Sequence, residues 1–127
     1  MSPKTYELTV HRTFSAAHQL RCYDGPCARV HGHNYQVEVA VASSELDELG
    51  MVMDFGDLKS VCDEVIEALD HQMLNELPAF SEQNATSERL SEHIYAGIAR
   101  RMADSTVTLR FVRVWETPTS SAMYREK

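Results

Sequence analysis

Cysteine is scarce in this chain: three in 127 residues, Cys22, Cys27 and Cys62, an odd number without paired spacing. That excludes a disulfide framework as the basis of the fold and reads as a set of cytosolic thiols. Long apolar runs are missing too. No stretch approaches the roughly 20 residues that cross a bilayer as a helix, and the opening MSPKTYELTV lacks the apolar centre of a signal peptide, so the expected place is the cytoplasm, with no membrane partner. Positive charge is in deficit, with 12 Lys and Arg against 19 Asp and Glu and a formal charge of −7. Nucleic-acid binding relies on clustered Lys and Arg to neutralise phosphates, and this balance argues against it. An anionic substrate must then be met locally, and Arg12, Arg21, Arg29 and Lys59 are the cations near the histidines described next.

What is present is a globular composition, 43% apolar and 24% charged, at a length that predicts one domain over residues 1–127. The stretch from Cys27 to Val41, CARVHGHNYQVEVAV, organises the rest. Side chains alternate between faces of an extended strand, so His31 and His33 point the same way across Gly32. Tyr35, Val37, Val39 and Val41 then alternate with Asn34, Gln36, Glu38 and Ala40, which supports a strand. His18, at the end of FSAAHQL, offers a third imidazole.

Three neutral imidazoles hold a zinc ion with one position open, whereas a fourth protein ligand closes the site. Cys27 leaves two alternatives. With its sulfur on the metal the site is structural, an assembly module without catalysis; with its sulfur free it is a thiol beside a Lewis acid. An ordinary surface strand is the third way to read His-Gly-His.

Along the chain, residues 5–14 read as a strand with His11 on its polar face as an exposed or hydrogen-bonded histidine. Residues 14–20 are expected to bend or bulge toward a site. Asp24-Gly25-Pro26 marks a turn, Cys22 reads as a small, partly buried residue, and Met51-Val52-Met53 reads as a short strand. Leu58, Val61, Cys62, Val65, Ile66 and Leu69 form one apolar helical stripe that Asp54 or Asp57 can cap, and Cys62 belongs to its packing face. A second helix, capped by Thr86 or Ser87, carries Leu90, Ile94, Ile98 and Met102, with His93 partly buried beside them. The strand from Thr106 to Glu116 is apolar on both faces in its second half.

The order β-β-β-α-α-β predicts an α+β domain with a four-stranded antiparallel sheet and two helices on one face. The other face is expected to be apolar and uncovered, so the chain is expected to associate with copies of itself, pairing sheet edges between subunits. Three further polar features stand out. Asp70-His71 follows the first helix, where an acid can tune and orient an imidazole. Glu116, after Trp115, can accept in parallel from adjacent N–H donors of a flat heterocycle. Thr86-Ser87-Glu88 opens the second helix, where capping accounts for the hydroxyls and Glu88 suits the helix dipole.

With FSAAH, C-x-x-x-HGHNY, MDFGDLK, LDH, NATSE and WET in that order, the chain resembles the 6-pyruvoyl-tetrahydropterin synthase family over nearly its whole length. The three residues between Cys27 and His31 resemble the bacterial branch, which makes 6-carboxy-5,6,7,8-tetrahydropterin for queuosine (7-deazaguanine) biosynthesis. The resemblance implies a tunnelling fold, with trimers forming a β-barrel, often stacked into hexamers, and active sites between subunits. It implies zinc on His18, His31 and His33, Cys27 as catalytic base, Asp70 and His71 as acid–base partners, and Glu116 as pterin anchor. Thr86, Ser87 and Glu88 match a segment bordering the pterin pocket. The implied reaction is a zinc-dependent lyase step from 7,8-dihydroneopterin triphosphate to 6-carboxytetrahydropterin, acetaldehyde and triphosphate. The family's other reaction eliminates triphosphate and leaves 6-pyruvoyl-tetrahydropterin.

Overall fold

Two long strands carry the architecture. In the computed structural model, which describes residues 4–21 and 28–126, β1 (Tyr6–His18) and β2 (His31–Ser43) pair antiparallel without a break from Tyr6–Ser43 to His18–His31. After β2 come α1 (Phe55–Ile66), a two-residue β3 (Gln72–Met73), two short 3-10 turns, α2 (Ser87–Arg101), β4 (Thr108–Thr117) and β5 (Ser120–Tyr124). The sheet order is β3-β1-β2-β4-β5, with β3 parallel to β1 and the other pairs antiparallel. The α+β class and the two helices agree with the sequence pattern, while the sheet is mixed and five-stranded rather than antiparallel and four-stranded.

Three local expectations need correction. Met51-Val52-Met53 forms no strand; its side chains are only partly buried, and Val52 and Met53 lie against the edge of the core. Residues 14–18 do not bulge, because every one keeps its partner in β2. The small β3 and β5 strands escaped the pattern because two and five residues are too few to show a period.

The α1 cap is Asp54, whose carboxylate accepts from the N–H of Gly56 at 2.6 Å and more weakly from Asp57 at 3.4 Å. Leu58, Cys62, Val65 and Ile66 are buried along this helix. It closes at Ile66, short of Leu69, where the N–H groups of Leu69 and Asp70 both turn back to the Ile66 carbonyl. Thr86 caps α2 by accepting from Arg89 N–H at 3.1 Å, and Leu90, Ile94, Ile98 and Met102 are all buried. The inward residues of the sheet, among them Val10, Phe14, Tyr35, Val37, Val39, Val112 and Val114, join both helices in one core. Gly97 brings the helices close, since a methyl group there would lie 2.9 Å from Val65 Cγ1.

The sheet face away from the helices is more polar than the double-sided pattern of β4 suggested. Arg113 lies between Phe111 and Trp115, with its guanidinium carbon 6.0 and 5.8 Å from the two ring centroids, and it faces Glu38 of β2 at 3.6 Å. His11 sits exposed on this face and accepts at Nδ1 from the Gln36 amide at 2.9 Å, as a strand histidine with a neighbour does. No helix among the described residues is long and apolar enough to cross a membrane.

Candidate metal centre and active site

Register puts the histidines together. His18 ends β1 and is paired across the sheet with His31, which begins β2, and His33 lies two residues further on the same face. β4 brings the fourth group, Glu116, to the same end. One ligand atom from each of His18, His31, His33 and Glu116 lies within 4.8 Å of all the others. The expected imidazole triad is therefore assembled, and beside it stands Glu116, a carboxylate to which the family resemblance gave the role of pterin anchor.

The rings are held from behind. Nδ1 of His18 lies 2.8 Å from the carbonyl oxygen of Ala85, and Nδ1 of His31 lies 2.8 Å from that of Arg29. A carbonyl only accepts, so each ring donates Nδ1–H, and a neutral ring so held turns a lone pair outward at Nε2. Those two Nε2 atoms face each other at 2.9 Å. With both rings neutral two lone pairs meet there, a repulsion relieved by a proton shared on one ring or by a metal ion bound to both. Imidazoles held at Nδ1 by carbonyls are the second-sphere pattern of histidine metal ligands. Burial lowers the pKa of His18 and of His33, favouring the neutral rings that a metal requires. His33 Nε2 is buried and, among the described residues, makes no hydrogen bond, although Glu116 Oε1 is 3.2 Å away. The two atoms are close without being aimed at each other. These donors fit a divalent cation with nitrogen and oxygen ligands.

Tyr35 continues the cluster inward. Its ring stacks on Phe14 and meets His33 edge-on at 5.4 Å, and burial raises its pKa. Ala85 immediately precedes the Thr86 cap, so the start of α2 adjoins the cluster. Thr86 spends its hydroxyl on capping, Ser87 is half-buried, and Glu88 is exposed. The Ala85 carbonyl was missed by sequence reasoning, since a backbone acceptor leaves no trace in residue type.

Asp70 and His71 lie in the turn between α1 and β3, beside Ser15 of β1. Asp70 Oδ1 accepts from the backbone N–H of Ser15 at 2.9 Å and lies 3.0 Å from His71 Nδ1. The Ser15 N–H, with help from His71, holds the Asp70 pKa below the usual carboxylate range. His71 adopts φ 58 and keeps its side chain 81% exposed, lining a cleft of about 480 Å³ with Ser15, Ala17, Gly32 and Asn34 beside His33. Apart from His33 these residues belong to the face opposite the cluster. Within one chain, then, the pair is assembled outside the four-residue group, and the cleft that His71 lines reaches that group at His33.

Cys27 and Cys22 lie outside the described residues; Ala28, the first residue after them, accepts at its carbonyl from the Gln19 amide at 2.7 Å. Of the nearby cations, Arg12 is taken by Asp63 through two bonds of 2.8 and 2.9 Å, and Arg21 donates to the carbonyls of Phe80 and Asn75. Cys62 is fully buried, and burial pushes its thiol up to about 12, so it has no part in chemistry. His93 is half-buried against Phe80.

This fold is shared with solved 6-pyruvoyl tetrahydropterin synthases. The solved 6-pyruvoyl tetrahydropterin synthase of Caenorhabditis elegans superimposes with a TM-score of 0.86, at 27% identity, covering 98% of this chain and 97% of that one. The family described as 6-pyruvoyl tetrahydropterin synthase matches residues 7–127, and the chain belongs to it. Among its relatives, the 6-carboxy-5,6,7,8-tetrahydropterin synthase of Bacillus subtilis (strain 168) is 36% identical, covering 98% of this chain and 88% of its own length. The 6-pyruvoyl tetrahydrobiopterin synthase of Dictyostelium discoideum is 31% identical, covering 96% of this chain and 97% of its own.

Proposed function

We propose that this enzyme is a zinc-dependent lyase that converts 7,8-dihydroneopterin triphosphate to 6-carboxy-5,6,7,8-tetrahydropterin, acetaldehyde and triphosphate, a step toward queuosine. The observation that carries the metal part is the pair of imidazoles facing each other at 2.9 Å with both Nδ1 atoms committed to carbonyls. The higher identity to the Bacillus subtilis relative than to the Dictyostelium one supports this reaction over 6-pyruvoyl formation.

His18, His31 and His33 would hold the zinc, which when bound supplies Lewis-acid polarisation of substrate oxygens. Cys27 removes a proton from the side chain of the substrate, on the strength of its place in the C-x-x-x-HGH motif. His71 passes protons on the other side, with Asp70 fixing its tautomer through the 3.0 Å contact. Glu116 accepts from the ring N–H donors and so positions the pterin, bordered by Thr86, Ser87 and Glu88. The exposure of His71, away from its own cluster, supports assembly into trimers or hexamers in which it serves a neighbouring copy.

Incubation of zinc-loaded protein with dihydroneopterin triphosphate tests the proposal. Acetaldehyde with the 6-carboxy product is expected; 6-pyruvoyl product without acetaldehyde would move the enzyme to the family's other reaction. A Cys27→Ala variant should keep zinc and lose turnover, whereas loss of both metal and fold would indicate a closed structural site.

A further inference from the structure

Glu116 is asked to do two things in one place. As a pterin anchor both its oxygens must meet ring N–H donors in parallel. Yet Oε1 lies 3.4 Å from His18 Nε2 and 3.2 Å from His33 Nε2, flanked by two imidazoles. Two imidazoles this close crowd that oxygen against the approach of a ring N–H. The His33 contact lacks hydrogen-bond geometry, so this buried nitrogen is not satisfied by the carboxylate and keeps its ligand capacity. A cation held by the three rings would have this carboxylate within reach, since every donor of the group lies within 4.8 Å of the others.

The backbone supplies the freedom for a second position. The β4–β5 register shifts between Trp115 and Thr117, so Glu116 has no partner in β5, and the β2–β4 pairing ends at Gln36–Trp115. A bulged residue of this kind re-aims its side chain at small cost to the ladder. The Glu116 side chain is also 33% exposed, so one side of the carboxylate is open to move into.

We infer that Glu116 is an exchangeable fourth ligand: it closes the three-histidine site while no pterin is bound, and leaves the cation when a pterin ring arrives to be anchored. The inference rests on the reading of the cluster as a metal centre and of Glu116 as the pterin anchor. It adds a consequence that neither contains. The fourth coordination position opens only after a ring with adjacent N–H donors has drawn the carboxylate away, so ring recognition gates the metal's Lewis acidity. A phosphorylated chain without the ring finds the position filled.

Linkage turns this into a measurement. If ring and cation compete for one carboxylate, each weakens the binding of the other by the same factor. The probe is 6-methylpterin, which has the ring donors but no side-chain oxygen to bind metal. In the wild-type chain, saturating 6-methylpterin is expected to lower Zn²⁺ affinity, read by chelator competition, about tenfold, and saturating Zn²⁺ to lower 6-methylpterin affinity equally. Glu116→Gln should bind Zn²⁺ about tenfold more weakly than wild type, and the antagonism should vanish. Zn²⁺ affinity unchanged in Glu116→Gln would overturn the inference. So would a weakened variant alongside a wild type whose metal and ring ignore each other, since Glu116 would then be a permanent ligand. The anchor reading is judged separately on metal-free protein: it stands if Glu116→Gln loses 6-methylpterin and falls if it does not. Should that variant fail to fold, the reciprocal wild-type titration decides alone.

Discussion

The backbone N–H of Ser15 donates to Oδ1 of Asp70 at 2.9 Å, and the same oxygen lies 3.0 Å from Nδ1 of His71. One carboxylate oxygen therefore ties the loop after α1 to β1, three residues from His18, and orients an exposed imidazole. Asp70→Asn keeps an acceptor for Ser15 but loses the charge that favours one His71 tautomer. Its kcat in the proposed lyase reaction should fall about 100-fold, the scale of general acid–base catalysis, with KM little changed. Turnover kinetics check this, and a rise in KM at constant kcat would instead make Asp70 a substrate-binding group.

His71 also holds a backbone conformation that side chains resist, with φ at 58. Its N–H is bonded to the Ser15 carbonyl, so the turn is fixed from outside. Glycine occupies this region without a steric cost of about 1 kcal/mol. His71→Gly should then be about 1 kcal/mol more stable than His71→Ala in urea unfolding. Equal stabilities would show that the loop relaxes out of the left-handed region.

Zinc should stabilise the fold through His18 and His31, whose Nε2 atoms are held 2.9 Å apart. At a hundred times its Kd a ligand adds about 2.7 kcal/mol, which for a domain of this size raises Tm by about 10 °C. A chelator should reverse the shift, and His31→Ala should abolish it. Thermal unfolding with and without Zn²⁺ measures this; a midpoint indifferent to the ion would take metal out of the cluster.

The parts of this site legible in the sequence are those that period and chain proximity encode. Gly32 between His31 and His33 placed both rings on one face, and the stripes from Leu58 and Leu90 gave both helices. His18 was suggested by FSAAH, but only the unbroken β1–β2 register explains why it meets His31. The carbonyls of Ala85 and Arg29 were illegible, because a backbone acceptor is common to all residues. Glu116 was recognised as a strand-end carboxylate, yet its approach to the imidazoles depends on a register shift that no residue type announces. The apolar character of the far sheet face was overread from Phe111 and Trp115, since Arg113 lies between them and adds charge to that surface.

Cys62 gives the fold an alkaline weakness. Its thiol is fully buried and pushed up to about 12 from an ordinary value of 9.0, chiefly by loss of hydration. The folded chain holds this proton after the unfolded chain has released it, so stability is complete below pH 9 and declines as pH rises toward 12. Relative to Cys62→Ala, wild type should lose about 1 kcal/mol between pH 9 and pH 10. Urea unfolding at both pH values checks the slope, and a difference between the two proteins that does not change with pH would mean that the thiol ionises freely in the fold.

Gly97 and Val65 set how closely the two helices approach. A methyl group at 97 would meet Val65 Cγ1 at 2.9 Å and Cγ2 at 3.1 Å, distances that force a shift of packed atoms. Alanine improves helix propensity by about 1 kcal/mol, but overpacking a core costs about 1–3 kcal/mol, so Gly97→Ala should be net destabilising. Val65→Ala alone should also destabilise, by leaving a cavity beside α1. Together the two changes exchange volume across the contact, and the double variant should be more stable than the sum of the single losses by at least about 1 kcal/mol. Strict additivity in the double-mutant cycle would show that the helices separate to admit the methyl group, and that Gly97 does not govern their spacing.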